Sequence, residues 1–180
     1  MPRKRKKLLI VDGYNVLRSG HRYQAIAGPD YTDDTFNRAR ERLVNDVVSY
    51  AGRDFSAIIV FDGGGNEFST GEAEAIGGVR IIFSPAGQSA DKVIEKLSRD
   101  ARERQVETLV VTSDATVQNT VFGEGVDRMS ANGFSDEVAA YYEEIHLDSV
   151  PEVSHKRTVA DRIPADTLAK LRALRDRAGE

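Results

Sequence analysis

The chain of 180 residues contains no cysteine, which removes disulfide frameworks and thiolate metal sites from consideration and fits a reducing cytoplasm. Its three histidines, His21, His146 and His155, are scattered without metal-ligand spacing, so a zinc centre or a histidine-based mechanism has little to build on. No apolar run approaches the roughly 18 residues that a membrane span needs. The basic N-terminus is followed only by Leu8 to Val11 before Asp12 arrives, too short for the apolar region of a signal peptide. Motifs are missing as well. There is no G-x-S-x-G nucleophile elbow and no G-x-G-x-x-G, and Gly63, Gly64 and Gly65 are not followed by the Lys-Ser or Lys-Thr of a phosphate-binding loop.

What is present is one domain's worth of ordinary composition, 40% apolar and 30% charged. The net charge is −4, but Arg3, Lys4, Arg5, Lys6 and Lys7 hold five positive charges together, so the remainder of the chain carries −9. An acidic body with a basic arm is not a generic nucleic-acid coat. The arm reads either as a solvated leader that keeps the first strand soluble or as a contact for phosphates.

Periodicity supplies the organisation, since there are no internal repeats. Short β-branched runs at Lys7–Val11, Ala57–Asp62, Val79–Phe83 and Thr108–Asp114 lack alternation and read as strands buried on both faces of a parallel sheet, with Asp127–Ala131 as a short last strand. Between them, Phe36, Ala39, Leu43, Val47 and Tyr50 recur at helical spacing over Asp34–Ala51, ahead of Gly52. Ser89 is a natural N-cap for a helix to about Glu103 with Val93, Ile94, Leu97 and Ala101 inward. Further helices are expected from Ala115 or Thr116 towards Phe122 and from Ser135 to about Ile145. This pattern predicts an α/β three-layer sandwich, a mainly parallel sheet with helices on both faces. Residues 1–7 form the arm and 8–148 the domain. In 149–180, a polar linker from Ser149 to Ile163 precedes a helix from Pro164, whose Leu168, Leu171 and Leu174 would pack on the domain or mediate a weak homodimer of an otherwise monomeric chain.

In such sheets the ligand crevice lies just past the strand C-termini. Asp12, Asp62 and Asp114 each end a strand, and Asp91 lies in the first turn of a helix. Taken singly each reads as a cap or a turn residue. Taken together they read as a site. Two carboxylates about 4 Å apart repel by roughly 4 kcal/mol at an effective dielectric near 20, and such a cluster persists where a cation or a shared proton offsets the repulsion. All-oxygen ligation points to Mg²⁺ or Mn²⁺, ions suited to phosphate-ester chemistry.

Asn15 and Ser113 flank the cluster, either as turn residues or as groups that orient water or hold an acid in place. Glu95, four residues after Asp91, is either a supporting acid or the ion-pair partner of Arg99. Gly63–Gly71 reads as a mobile loop beside the site.

The strings IVDGYNVL, VFDGG, SADKVIEKL and VVTSDATVQ, in that order between Leu8 and His146, resemble the YacP-like NYN-domain ribonucleases, relatives of the PIN-domain nucleases. The combination is specific, although each motif alone is weak. The resemblance implies a Rossmann-like sheet with an acidic metal pocket, and single-stranded RNA cut by a metal-activated water. Some members of the family act with the ribosome, which makes translating mRNA a candidate substrate. Carried over by motif, the catalytic set is Asp12, Asn15, Asp62, Asp91, Glu95, Ser113 and Asp114, with metal held by Asp12, Asp62, Asp91 and Asp114. The chain departs from the family at Val117, where an acid often precedes the Gln, and at Arg128–Phe134, which lacks the family's Arg-Glu pair. Both departures bear on substrate contacts and partner docking.

The sequence thus leads to an endoribonuclease that recruits RNA through Arg3, Lys4, Arg5, Lys6 and Lys7 with help from Arg18, Arg22, Lys92 and Lys96. A non-catalytic RNA- or ribosome-binding module is the rival reading. An aspartyl phosphatase is disfavoured because Tyr14 stands where the second Asp of its D-x-D would be, and a receiver domain because no Lys follows the last strand.

Overall fold

The computed structural model describes residues 3–29, 32–63 and 71–149. In chain order its elements are β1 (Lys7–Asp12), α1 (Gly13–Ser19), α2 (His21–Ala27), α3 (Asp33–Ala51), β2 (Phe55–Phe61), β3 (Ala73–Ile76), β4 (Val79–Phe83), α4 (Ala90–Glu103), β5 (Thr108–Val111), α5 (Ala115–Thr120), β6 (Val126–Met129) and α6 (Ala131–Ser149). The six strands form one sheet in the order β3-β4-β2-β1-β5-β6. Every pairing is parallel except β3 with β4.

Register explains why the central strands show no alternation. Ile10 lies opposite both Ile58 and Val110, and on that face these residues pack with Val60 against Ala90 and Ile94 of α4 and Val117 of α5. The other face carries Phe61, whose ring meets Tyr14 of α1, and α3 packs on β2 from the same side. Phe134 of α6 meets Tyr50 of α3 edge-on. A strand covered on both faces has no solvent side, so apolar residues run unbroken along Leu8–Val11 and Ala57–Phe61. The chain leaves β1 towards β2 by way of α1–α3 and later crosses back to β5 by way of α4. The direction of winding therefore reverses at β1, where a crevice opens at the strand C-termini.

Three elements escape the sequence pattern. α1 and α2 are seven-residue helices on either side of Gly20, too short for periodicity to register. Gly13 begins α1 because a Cβ there would lie 2.4 Å from the ring of Phe61. β3 is exposed throughout and is held by backbone pairing to β4. α6 begins at Ala131 rather than Ser135, because the Ser113 hydroxyl accepts from the Ala131 N–H at 2.9 Å and the Ser130 hydroxyl from the Gly133 N–H at 2.9 Å. β5 is shorter than expected and ends at Val111.

Chain contacts divide the molecule into Met1–Tyr141 and Tyr142–Glu180. The expected linker and terminal helix of 150–180, and most of the expected loop at Gly63–Gly71, lie outside the described residues. Among the described residues no helix is long and apolar enough to cross a membrane.

One buried charge stands in the helical layer. Asp46 of α3 has no solvent exposure; it accepts from Arg22 Nε at 2.8 Å and from the Tyr23 hydroxyl at 2.9 Å, with Arg42 Nε at 3.4 Å. Removing one partner of a buried pair strands the other. Asp46→Ala is expected to lower stability by about 3–5 kcal/mol and Tyr23→Phe by about 1 kcal/mol, both measured by urea unfolding. Equal small losses would show that water replaces the carboxylate.

Candidate active site

Asp12 occupies the N-cap position between β1 and α1, where parallel pairing has carried the chain to the sheet's C-terminal edge. Its side chain is buried, with the residue 6% exposed, and accepts from Thr112 Oγ1 at 2.9 Å. The same Thr112 oxygen accepts from the Asp114 N–H at 3.1 Å, so its single hydrogen is committed to Asp12. Gln118 Nε2 donates to the Thr112 carbonyl at 2.7 Å and secures that strand end. Burial pushes the Asp12 carboxyl from 3.8 up to about 6; the Thr112 hydrogen bond opposes this, the charges of Asp91 and Asp114 add to it, and the backbone bond from Asn15 again opposes it.

Asp62 follows β2, and Ser84, past the end of β4, donates to its Oδ1 at 3.4 Å while accepting from the Gly63 N–H at 2.8 Å. Asp91 stands in the first turn of α4, behind the Ser89 cap. Partial burial raises its carboxyl above the usual range, and Asp114 and Asp62 raise it further. Asp114 caps α5 by accepting from the Thr116 N–H at 2.8 Å. The four carboxylates line one pocket of about 470 Å³, together with Tyr14, Asn15, Arg18, Ser19 and Ala90.

The other sequence candidates divide. Asn15 lines the pocket, but its Oδ1 accepts from the Ser113 N–H at 2.7 Å and so ties α1 to the end of β5. The Ser113 hydroxyl is directed to the start of α6 and is not part of the pocket lining. Glu95 is also outside the lining, between Lys92 at 3.6 Å and Arg99 at 3.5 Å, so these cations offset its repulsion with Asp91. Arg18 lines the pocket, 5.8 Å from the Tyr14 ring centre. Lys92 and Lys96 are exposed on α4.

One expectation about RNA contacts needs correction. Arg22 is committed to buried Asp46, so its guanidinium holds α2 to α3 instead of facing a substrate. The arm Arg3–Lys7 precedes β1 and therefore lies at the opposite edge of the sheet from the carboxylates, with Lys7 paired to Glu107 at 2.7 Å. Sequence reasoning also overlooked Thr112, Ser84, Tyr14 and Ser19. Thr112 had a signal, since it opens the T-S-D string immediately after a buried strand.

The pocket's carboxylate donors are oxygens, the type that hard divalent ions prefer. Among the described residues no three acids or histidines are grouped closely enough to grip an ion jointly.

A family model described as the YacP-like NYN domain matches residues 9–176. YacP of Bacillus subtilis strain 168 is 31% identical over 138 residues, which is 73% of this chain and 74% of that protein. Two crystal structures of Rae1 (YacP) from Bacillus subtilis, one of them a point mutant, are 26% identical in sequence. The mutant matches with a TM-score of 0.65 over 93% of this chain and 99% of its own. The other matches with 0.62 over 96% and 90%. Sequence and sheet topology agree: the chain belongs to the YacP-like NYN domain family and has its PIN-like, nuclease-type fold.

Proposed function

We propose that this protein is a divalent-metal-dependent endoribonuclease that cleaves single-stranded RNA at the pocket of Asp12, Asp62, Asp91 and Asp114. The observation that carries the reading is the convergence of these four carboxylates at the winding reversal, with Asp12 buried and its carboxyl raised to about 6. A fold does not need such a cluster for its own stability. Membership of a family whose fold is nuclease-type adds support, and translating mRNA is the substrate to test beside free RNA.

The chemistry that a Mg²⁺ or Mn²⁺ ion would supply there is an activated water and neutralisation of charge on the leaving oxygen. Asp12 and Asp91 are the residues to hold the ion, because each is ionised at an electrostatic cost that a cation removes. Thr112 orients the Asp12 carboxylate, and Ser84 does the same for Asp62. Asn15 ties the start of α1 to the end of β5 and so fixes the separation of the two strand ends that carry Asp12 and Asp114. Among the described residues Arg18 is the cation that lines the pocket and would meet a phosphate there, with Tyr14 as the ring beside it.

A labelled unstructured RNA incubated with Mn²⁺, Mg²⁺ or EDTA tests the assignment. Wild type is expected to cut with either metal and not in EDTA, and Asp12→Asn to lose about 100-fold or more in rate with unchanged circular dichroism. Silence of the wild type on free RNA and on translating ribosomes alike would overturn the reading in favour of a binding module.

The raised carboxyl also fixes a pH dependence. Without divalent ions, folded Asp12 keeps a proton that the unfolded chain loses near pH 3.8, so stability falls as pH rises from about 4 to about 6. The full cost, about 3 kcal/mol, then persists at neutral pH. A divalent ion binds the ionised form, so Mn²⁺ is expected to raise the melting temperature more at pH 7.5 than at pH 5. In Asp12→Asn both the falling limb and the metal increment should shrink. Equal Mn²⁺ increments in the two proteins would contradict the role of Asp12.

A further inference from the structure

The edge of the sheet opposite the carboxylates gathers charge of the other sign. Arg3, Lys4, Arg5 and Lys6 are exposed ahead of β1; Arg53 joins them from the turn before β2, Arg80 from β4 and Arg104 from the C-terminus of α4. Among the described residues, one cavity of about 650 Å³ is lined by Arg3, Lys4, Lys6 and Arg53. A neighbouring groove of about 520 Å³ sets Arg5, Lys6, Arg80 and Arg104 around a floor that includes Leu8, Ile58 and Leu97. Among the described residues none of these seven bases has a carboxylate within 4.0 Å, whereas Lys7 is taken by Glu107. The acids on these walls are Asp54 and Asp100, and Glu107 and Asp127 stand close to Lys7, so among the described residues eight bases against four acids leave four positive charges on one edge of a protein whose net charge is −4.

Helix dipoles account for part of this. Arg53 and Arg104 stand just beyond the C-termini of α3 and α4, where a cation is favoured. No such account covers the arm or Arg80. Their mutual repulsion is the signature of a surface that meets a polyanion.

We propose that this edge is a second RNA-binding surface, one that grips backbone phosphates away from the bond being cut; the choice of RNA among polyanions rests on the nuclease reading above. Five of the seven bases are arginines, whose forked guanidinium matches phosphate oxygens. None of the large exposed hydrophobic side chains lines either cavity, so an apolar wedge for a membrane surface is missing among the described residues. The six residues of β1 separate the edge from Asp12 by roughly 15–20 Å. Only an RNA long enough to pass round the domain engages both, so the surface adds affinity for long substrates without reading their sequence.

Fluorescence anisotropy of the full chain with an unstructured RNA of about 30 nucleotides, in EDTA over a series of KCl concentrations, tests this independently of cleavage. Two triple variants, Arg53→Ala/Arg80→Ala/Arg104→Ala and Lys4→Ala/Arg5→Ala/Lys6→Ala, are expected to weaken binding by about 10-fold or more. Each should make the slope of log affinity against log salt shallower by about 2, from about 0.7 per phosphate contact on a single strand. Arg38→Ala/Arg40→Ala on α3 should shift affinity less than about 2-fold, as exposed charges away from the contact do. Unchanged slopes in both triple variants, an equal loss in the α3 control, or displacement of RNA by polyglutamate at matched charge would overturn the proposal. A chain that grips RNA here but never cuts it would overturn the nuclease reading alone.

Discussion

Parallel pairing of β1 with both β2 and β5 is the constraint from which the remaining arrangement follows. A parallel strand is reached only by crossing a sheet face, so each strand's C-terminal end arrives at one edge and each returning helix also begins there. Asp12, Asp62 and Asp114 follow the ends of three such strands, and Asp91 opens the helix that crosses back to β5. Sequence separations of up to about a hundred residues collapse into one pocket because the topology admits no other place for them. The same rule sends the N-terminal arm to the far edge, since whatever precedes β1 is on the side its strand leaves from.

Most of that was legible from residues alone. Unbroken apolar runs such as Leu8–Val11 and Ile58–Phe61 disclose two-sided burial, and two-sided burial discloses parallel pairing. From there the acids at the strand ends need no further information to be placed together. The illegible parts were those stabilised by contacts distant in sequence. α1 and α2 are held by packing on β2 and α3, and β3 by backbone pairing to β4. A seven-residue helix and a four-residue exposed strand carry no periodicity of their own.

The site was legible in its acids and illegible in its scaffolding. Asn15 and Ser113 drew notice as short polar residues beside the cluster, yet one bonds to the other's backbone and the second starts α6. Thr112 and Ser84 each hold a carboxylate; Thr112 is marked by opening the T-S-D string, whereas nothing local separates Ser84 from an ordinary strand-end residue. Arg22 makes the converse point. Its charge reads as a substrate contact from sequence, yet Asp46, 24 residues on in the next helix, holds it. Lone polar residues announce a capacity to bond, and only the fold determines with what.

The distribution of charge joins the two edges into one design. α4 begins at the acidic edge with Asp91 in its first turn and ends at the basic edge beside Arg104. Acids at helix N-termini and bases at C-termini both lower the energy of the macrodipole, each by about 0.3–1 kcal/mol where exposed. The fold therefore offsets part of the repulsion within each cluster, which is how like charges can accumulate at two places without unfolding the sheet between them. At the acidic edge that offset is incomplete, because burial and the charges of Asp91 and Asp114 still raise the Asp12 carboxyl to about 6. The residual strain is where a cation gains most, and at the basic edge the residual repulsion is where a phosphate chain gains most. Opposite unmet charges therefore stand on opposite edges of one sheet, each placed where an ion of the other sign would gain most.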